Sequence, residues 1–339
     1  LRTWGSNANF ALGFSTNTGL QQATPRLVSE TDGGVGFPDS SNQWRAVAAG
    51  QDFTLAITPT GNIWGWGNNA LGAIAQPLDG PPTFAIEDPI SLGTVFVDNN
   101  SEQLPPTVKR AAAGRGHTAV IIDGVPDVDI DEDGRIDRFY EDRNGNGVLD
   151  PGEDLNGDGN LDRGEDLNSN GVLDPGEDLN GNGRLDLSED TFEPGPMLVW
   201  GDNQNGQLGA DLTGDGRFNI SDQLPDVSPT DTPTLVYLDQ DGDTWPDNPT
   251  ARWWAVACGS TFTVAIRDDG TLWMAGSIGL GEPSYRFNRI SGDNRWVAVA
   301  AGSFHALALR HDGGDQYSLF SWGLNSLGQL GTGESILAS

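Results

Sequence analysis

A single cysteine, Cys258, stands in a chain of 339 residues, so no disulfide within the chain is possible. No apolar run reaches the ~20 residues of a membrane-spanning helix, and no secretory leader pattern opens the chain. Histidine is nearly absent, with His117, His305 and His311 as the whole supply. No G-x-S-x-G, P-loop or H-E-x-x-H pattern occurs, which removes the usual hydrolase, nucleotide-phosphate and zinc-protease arrangements. Basic residues are few: 18 Lys and Arg against 49 Asp and Glu, for a net charge of −31. A field of that sign repels nucleic acid and anionic membranes and suits divalent cations, so neither nucleic-acid binding nor membrane insertion is expected. The length supports a sizeable core and one or two domains. The chain starts at Leu1 inside a motif and reads as processed or truncated.

Much of the negative charge is concentrated. Residues 121–193 hold 23 acidic and 5 basic residues, and the remaining excess is spread over the rest of the chain. Within that stretch, residues 142–189 are four consecutive twelve-residue patterns: DRNGNGVLDPGE, DLNGDGNLDRGE, DLNSNGVLDPGE and DLNGNGRLDLSE. Hard oxygen donors at positions one, three, five and twelve, a backbone carbonyl at seven, and Gly at the sharp turn are the loop that wraps Ca²⁺. The predicted ligands are Asp142, Asn144, Asn146, Val148, Asp150 and Glu153, then Asp154, Asn156, Asp158, Asn160, Asp162 and Glu165. They continue as Asp166, Asn168, Asn170, Val172, Asp174 and Glu177, then Asp178, Asn180, Asn182, Arg184, Asp186 and Glu189. Several Ca²⁺ ions are the expected cofactor. Leu149, Leu161, Leu173 and Leu185 recur every twelve residues, a period suited to a thin stacked spine once metal offsets the charge repulsion.

Three further loops are less regular. Asp129, Asp131, Asp133 and Asp137 resemble a thrombospondin type-3 loop. Asp211, Thr213, Asp215, Arg217, Asn219 and Asp222 resemble a dockerin loop, without the paired partner that module needs. Asp239, Asp241, Asp243 and Asp247 form a candidate that lacks the glycine. The alternative for all of these is a solvated acidic linker, which explains the charge but not the ordered Gly and Leu positions.

Outside the acidic segment a second repeat appears. Four segments share a strand–turn–strand core: WRAVAAGQDFTLAI (44–57), VKRAAAGRGHTAVI (108–121), WWAVACGSTFTVAI (253–266) and WVAVAAGSFHALAL (296–309). Gly-rich exits follow at 62–72, 197–209, 271–281 and 318–331, and a fifth, LRTWGSNANFALG, stands at 1–13 without a core. Alternating apolar residues such as Phe53, Leu55 and Ile57 predict strands, and periodic Gly and aromatic motifs predict an all-β, propeller-like fold. These segments resemble regulator of chromosome condensation repeats, V-A-A-G-x-x-H-T/A-x-A-L/I followed by W-G-x-N-x-x-G-Q-L-G. The match is clearest at Val299–Leu309 with Trp322–Gly331 and at Ala111–Ile121 with Trp200–Gly209. The resemblance implies radially arranged blades, about seven in the family. Here four cores and five exits are visible, their spacing is irregular, and the third exit reads Trp273-Met274 where the others read Trp-Gly.

The break after Ile121 and the resumption at Met197 place the acidic segment as an insertion in a hairpin tip, where the chain leaves and returns at one place. The expected organisation is propeller repeats over 1–124, a calcium-loop insertion over 125–196 and propeller repeats over 197–339. His117 and His305 fall where Phe53 and Phe262 stand in other units, so both read as structural, and His311 lies in a predicted turn. Cys258 replaces Ala49, Ala113 and Ala301 and reads as a small buried residue. Trp44, Trp64, Trp200, Trp254, Trp296 and Trp322 are expected at equivalent repeat positions, so most are core, although tryptophans also stack on sugars. Asn99 and Asn219 open glycosylation sequons. No catalytic residue is expected.

Three functions compete. The first is an extracellular, calcium-stiffened structural subunit that assembles with its own copies, because the exit strand at 1–13 has no core beside it and an orphan edge invites strand addition. A fragment of a longer propeller explains the same ends. The second is a secreted binding module that presents the long connections 73–107, 210–250 and 282–293 to a protein or glycan. The third, an exchange factor for a chromatin-bound GTPase, follows from the family name alone and is opposed by charge and calcium loops. Weak calcium sites of the extracellular kind need ~10⁻⁴–10⁻³ M metal, which favours an extracellular location.

Overall fold

Alternating apolar residues and left-handed turn positions build the described residues into short antiparallel strands joined by turns. The computed structural model describes residues 1–7, 9–14, 21–28, 44–59, 61–76, 85–92, 108–122, 194–210, 229–236, 238, 251–279, 281–314 and 316–333. Leu1–Asp123 and Pro194–Ser339 form one compact unit. Of the expected insertion over 125–196, residues 125–193 lie outside the described residues.

The chain opens with a two-stranded pair, β1 (Arg2–Ser6) and β2 (Gln21–Leu27). Blade I follows as β3 (Ala46–Ala49), β4 (Phe53–Ile57), β5 (Ile63–Asn68) and β6 (Ala85–Ser91). Blade II is β7 (Val108–Ala113), β8 (His117–Ile122), β9 (Met197–Gly201) and β10 (Thr230–Leu235). Blade III is β11 (Trp253–Cys258), β12 (Phe262–Arg267), β13 (Leu272–Gly276) and β14 (Ser284–Arg289). Blade IV has three described strands, β15 (Trp296–Ala301), β16 (His305–Gly313) and β17 (Gln316–Gly323). Each blade is a simple meander in chain order. The all-β, propeller-type reading therefore holds. The strands on either side of 123–193 are hydrogen-bonded neighbours, with Ile121 opposite Met197.

The first strands of successive blades lie against one another, and backbone bonds stitch the turns that follow them. The Gln51 N–H donates to Gly114 O at 3.0 Å, Arg115 to Gly259 at 3.3 Å, and Ser260 to Ser303 at 2.9 Å. The second strands carry the core. Phe53, Leu55, Ile57, Ile63, Val120, Ile122 and Trp200 join blades I and II in one cluster, and Phe262, Val264, Ile266, Leu272, Trp296 and Ala306 join blades III and IV in another. Full burial of one such Leu, Ile or Phe contributes about 1.5–3 kcal/mol.

Backbone pairing corrects four sequence assignments. Phe53, His117, Phe262 and His305 pair with Gly67, Gly201, Gly276 and Gly323, which makes Trp66 the counterpart of Trp200 and Trp322. Trp64 sits two residues earlier and matches Trp273, so the degraded Trp-Gly of blade III is Ala275-Gly276 rather than Trp273-Met274. Trp253, not Trp254, matches Trp296: Trp253 pairs with Arg267 as Trp296 pairs with Arg310, and the same register shift follows each. His311 is in a strand and not in a turn: it pairs with Tyr317, because the β16–β17 hairpin runs on to Gly313 before it reverses.

The connections expected to be loops contain the fourth strands. β6 lies in 73–107, β10 in 210–250 and β14 in 282–293. β2, β6 and β10 each carry a proline, Pro25, Pro89 and Pro233. Proline withholds a ladder donor and is confined to edge strands, which is where these lie.

Candidate functional site

Every predicted calcium ligand, from Asp129 to Glu189 and from Asp211 to Asp247, lies outside the described residues, as do the sequons at Asn99 and Asn219. Among the described residues no group of three or more His, Cys, Asp or Glu side chains is placed to hold a metal ion. Basic side chains slightly outnumber acidic ones among the described residues. The described strands and turns are thus close to neutral, and the acidic excess outside 121–193 falls on residues that are not described.

The blades are joined through their exit turns, and these junctions are the most elaborate chemistry described. Each full exit is two tight turns in succession. Gly72 N donates to Asn69 O at 3.0 Å and Ala75 N to Gly72 O at 2.8 Å. The same pair recurs at Asn203–Gly206–Gly209, Asn7–Phe10–Gly13 and Asn325–Gly328–Gly331. The Asn side chain clamps the turn from inside: its Oδ1 accepts from the N–H of Leu12, Ile74, Leu208 and Leu330 at 2.9–3.0 Å. This is why the sequence motif demands Asn there. The two turn residues have left-handed backbones, glycine at six of eight places, with Phe10 (φ 60°) and Ala75 (φ 50°) as exceptions.

Each clamped turn then fits the next blade like a key in a socket. The Ala11 carbonyl accepts from Thr54 Oγ1 at 2.8 Å and from Trp66 Nε1 at 2.9 Å. One blade on, the Ala73 carbonyl accepts from Thr118 Oγ1 at 2.8 Å and Trp200 Nε1 at 2.9 Å. At the junction of blades II and III the Gln207 carbonyl accepts from Thr263 Oγ1 at 2.7 Å. There Ala275 replaces the tryptophan, and the buried Phe287 of β14 packs beside it against the third key at Gly209.

His117 supplements that junction. Its Nε2 lies 3.0 Å from Thr263 Oγ1, and since Thr263 already donates to Gln207, Nε2–H is the donor. The neutral Nε2–H imidazole links blade II to blade III. Burial pushes its pKa down to about 4, partly offset by the Phe262 backbone. The Cys258 sulfur is 3.9 Å from the same hydroxyl. Burial pushes the thiol up to about 12, opposed by Thr263 and Ala119, so Cys258 is a protonated space-filler and not a nucleophile. Both histidine and cysteine thus serve packing and junction bonding.

Blade IV departs from the others. Leu319 is 67% exposed and Phe320 38%, whereas their counterparts Ile63, Met197 and Leu272, and Trp64, Leu198 and Trp273, are buried. Sequence reasoning missed this surface because the residue types are the same in every blade. Only the covering neighbours differ.

The regulator of chromosome condensation (RCC1) repeat profile matches residues 44–73, 194–266 and 296–329. No curated protein matches the chain. Among solved structures, human WBSCR16 is similar at 14% identity and a TM-score of 0.56, covering 98% of this chain and 59% of that one. Prp20p of Saccharomyces cerevisiae is similar at 16% identity and TM-score 0.35, over 98% of this chain and 82% of that one. The receptor kinase CR4 ectodomain of Physcomitrella patens is similar at 10% identity and TM-score 0.38, over 94% and 45%. The likeness to the human structure shows the fold alone, and the chain spans 59% of that structure's length.

Proposed function

On the premise that the chain carries RCC1 repeats of the β-propeller type, we propose that it is a non-enzymatic docking module that binds a protein partner and holds Ca²⁺ through the 142–189 array. The observation that supports docking is the surface of blade IV, where Leu319 and Phe320 present to solvent the apolar positions that blades I–III bury. The partner class is a protein segment with alternating apolar side chains, laid along β17. The calcium reading rests on the donor pattern of four consecutive loops. Near-neutral blades and strongly acidic loops divide the two tasks. Weak sites of that kind fill at extracellular metal concentrations, so the module is placed outside the cell or at its surface.

Selection of a displayed peptide library on the immobilised full chain tests the docking. Binders that are lost on Leu319→Asp support it. Binders indifferent to that change, or none at all, overturn it.

A second reading is a filament or surface-layer subunit assembled from copies of itself and stiffened by calcium. It is favoured by the clamped turn at Asn325–Gly331, whose Leu327 is 90% exposed. Electron microscopy of the purified chain in calcium and then in chelator separates the readings. Regular polymers that loosen in chelator support assembly, and isolated particles in both conditions overturn it.

A further inference from the structure

Of the three junctions between blades I to IV, two are locked by keys and the third is built differently. At junctions I–II and II–III a turn carbonyl, that of Ala73 or Gln207, accepts hydrogen bonds from side chains of the next blade. Between blades III and IV both halves of that lock are replaced. Ala306 stands where Thr54, Thr118 and Thr263 supply a hydroxyl. Ile278, two residues after Gly276, stands where Asn69 and Asn203 clamp their turns, and the exit is short: β13 ends at Gly276 and β14 begins at Ser284. Ile278 and Gly279 fill the place of the key with an apolar wedge. Ile278 is buried in one cluster with Trp296, Ala306 and Trp322, and its Cδ1 lies 3.0 Å from the place of a Cβ at Gly323. Gly279 faces the Phe304 ring. Among the described residues, the polar bonds of the wedge all return to its own blade: Thr261 Oγ1 donates to Ser277 O at 2.7 Å and Ser277 N to Thr261 O at 2.8 Å.

The two ends of this junction therefore differ. At the wedge end the contact is apolar and non-directional. Parting blades I and II there breaks both bonds to the Ala73 carbonyl. Parting blades III and IV breaks no such bond, and it gives water to the Trp322 indole N–H, which is buried without an acceptor in the closed form. The opposite end is tied down. The connection from β14 to β15 is held by Arg289, which donates to Ser291 O at 2.8 Å and Gly292 O at 3.1 Å. Asp293 of the same connection accepts from Arg310 of blade IV at 3.1 Å, and Trp296 N donates back to Gly270 O of blade III at 3.1 Å.

We propose that blade IV swings on blade III as a hinged unit, with the Ser291–Arg295 connection as the pivot and the Ile278–Gly279 wedge as the end that opens and closes. Opening separates Ile278 from the Gly323 end of β17 and breaks the backbone bond from Ser260 N to Ser303 O, while the bond from Trp296 N to Gly270 O beside the pivot persists. The motion requires no partner, no second copy and no calcium, so it stands apart from the docking and assembly readings.

Amide hydrogen exchange on the purified full chain, read residue by residue, tests the hinge, because equivalent amides cross different junctions. At the wedge end Ser260 N–H crosses from blade III to IV as Gln51 N–H crosses from I to II. At the pivot end Trp296 N–H bridges III and IV as Val108 N–H bridges I and II. After correction for intrinsic rates, Ser260 should exchange roughly tenfold or more faster than Gln51, while Trp296 stays as slow as Val108. Ile278→Ala should speed Ser260 further and leave Gln51 unchanged. Trp322→Phe removes the unpaired donor of the closed form and should slow Ser260 several-fold, an effect that lost packing would not produce. Ser260 exchanging no faster than Gln51 overturns the hinge. Trp296 exchanging as fast as Ser260 overturns it too, since blade IV then comes away as a whole and does not pivot.

Discussion

The indole N–H of Trp200 donates to the Ala73 carbonyl at 2.9 Å across the junction of blades I and II, and Thr118 Oγ1 donates to the same oxygen at 2.8 Å. One carbonyl at the tip of a clamped turn thus gathers two donors from different strands of the neighbouring blade. The propeller repeat conserves its geometry through this contact: the tryptophan of the exit is not only core filler but the donor that locks blade to blade.

Trp200→Phe should therefore cost about 1 kcal/mol, the net worth of one buried hydrogen bond, with little packing loss. Trp66→Phe should behave alike. Trp322→Phe, measured at dilution where no copies associate, should cost nothing or stabilise slightly, since its N–H has no partner. Urea midpoints of the three variants check this. Equal losses in all three would show that the ring alone matters.

Gly206 and Gly328 are equivalent residues of two keys, with φ of 72° and 77°. An added Cβ at Gly206 would lie 2.6 Å from Ser284 O and 2.7 Å from the Tyr285 Cα, whereas at Gly328 it would meet nothing. Gly328→Ala should cost only the left-handed strain, about 1 kcal/mol. Gly206→Ala adds overpacking and should cost about 3 kcal/mol. The difference between their denaturation midpoints measures how tightly a key is held.

His117 should make stability depend on acid. Its folded pKa, about 4, lies below the ordinary value of 6.5, so the unfolded chain binds the proton more readily. The stability that the neutral ring contributes is fully present above pH 6.5 and is lost as pH falls towards 4, a change of about 3 kcal/mol. His117→Phe, which copies blades I and III at this position, should flatten the stability profile between those limits. An unchanged profile would place the acid sensitivity elsewhere.

Calcium binding is checked by calorimetry on the full chain. Glu153→Ala, Glu165→Ala, Glu177→Ala and Glu189→Ala together remove the twelfth-position ligand from each loop and should abolish binding at those loops. The blades should keep their thermal unfolding transition, because near-neutral, apolar junctions hold them. Equal stoichiometry in the variant and the parent would defeat the ligand assignment.

The sequence by itself determined the four core hairpins, since alternation of apolar residues around Val-Ala-Ala-Gly admits little else, and it determined the all-β class. It also placed Asn, Gly and Leu in each exit, and it alone carries the case for calcium. Tertiary structure decided what depends on neighbours distant in the chain. The fourth strands stayed hidden because Pro25, Pro89 and Pro233 are legible as edge-strand residues only once a third strand is seen beside them. The interchange of Trp64 with Trp66 turned on pairing register, whereas Trp253, like Trp44 and Trp296, stands six residues before the core glycine and was legible in the sequence. That Leu327 is exposed while Leu71 is covered is invisible in two identical residues of one motif. Burial belongs to the pair of surfaces that meet, and a sequence names only one of them.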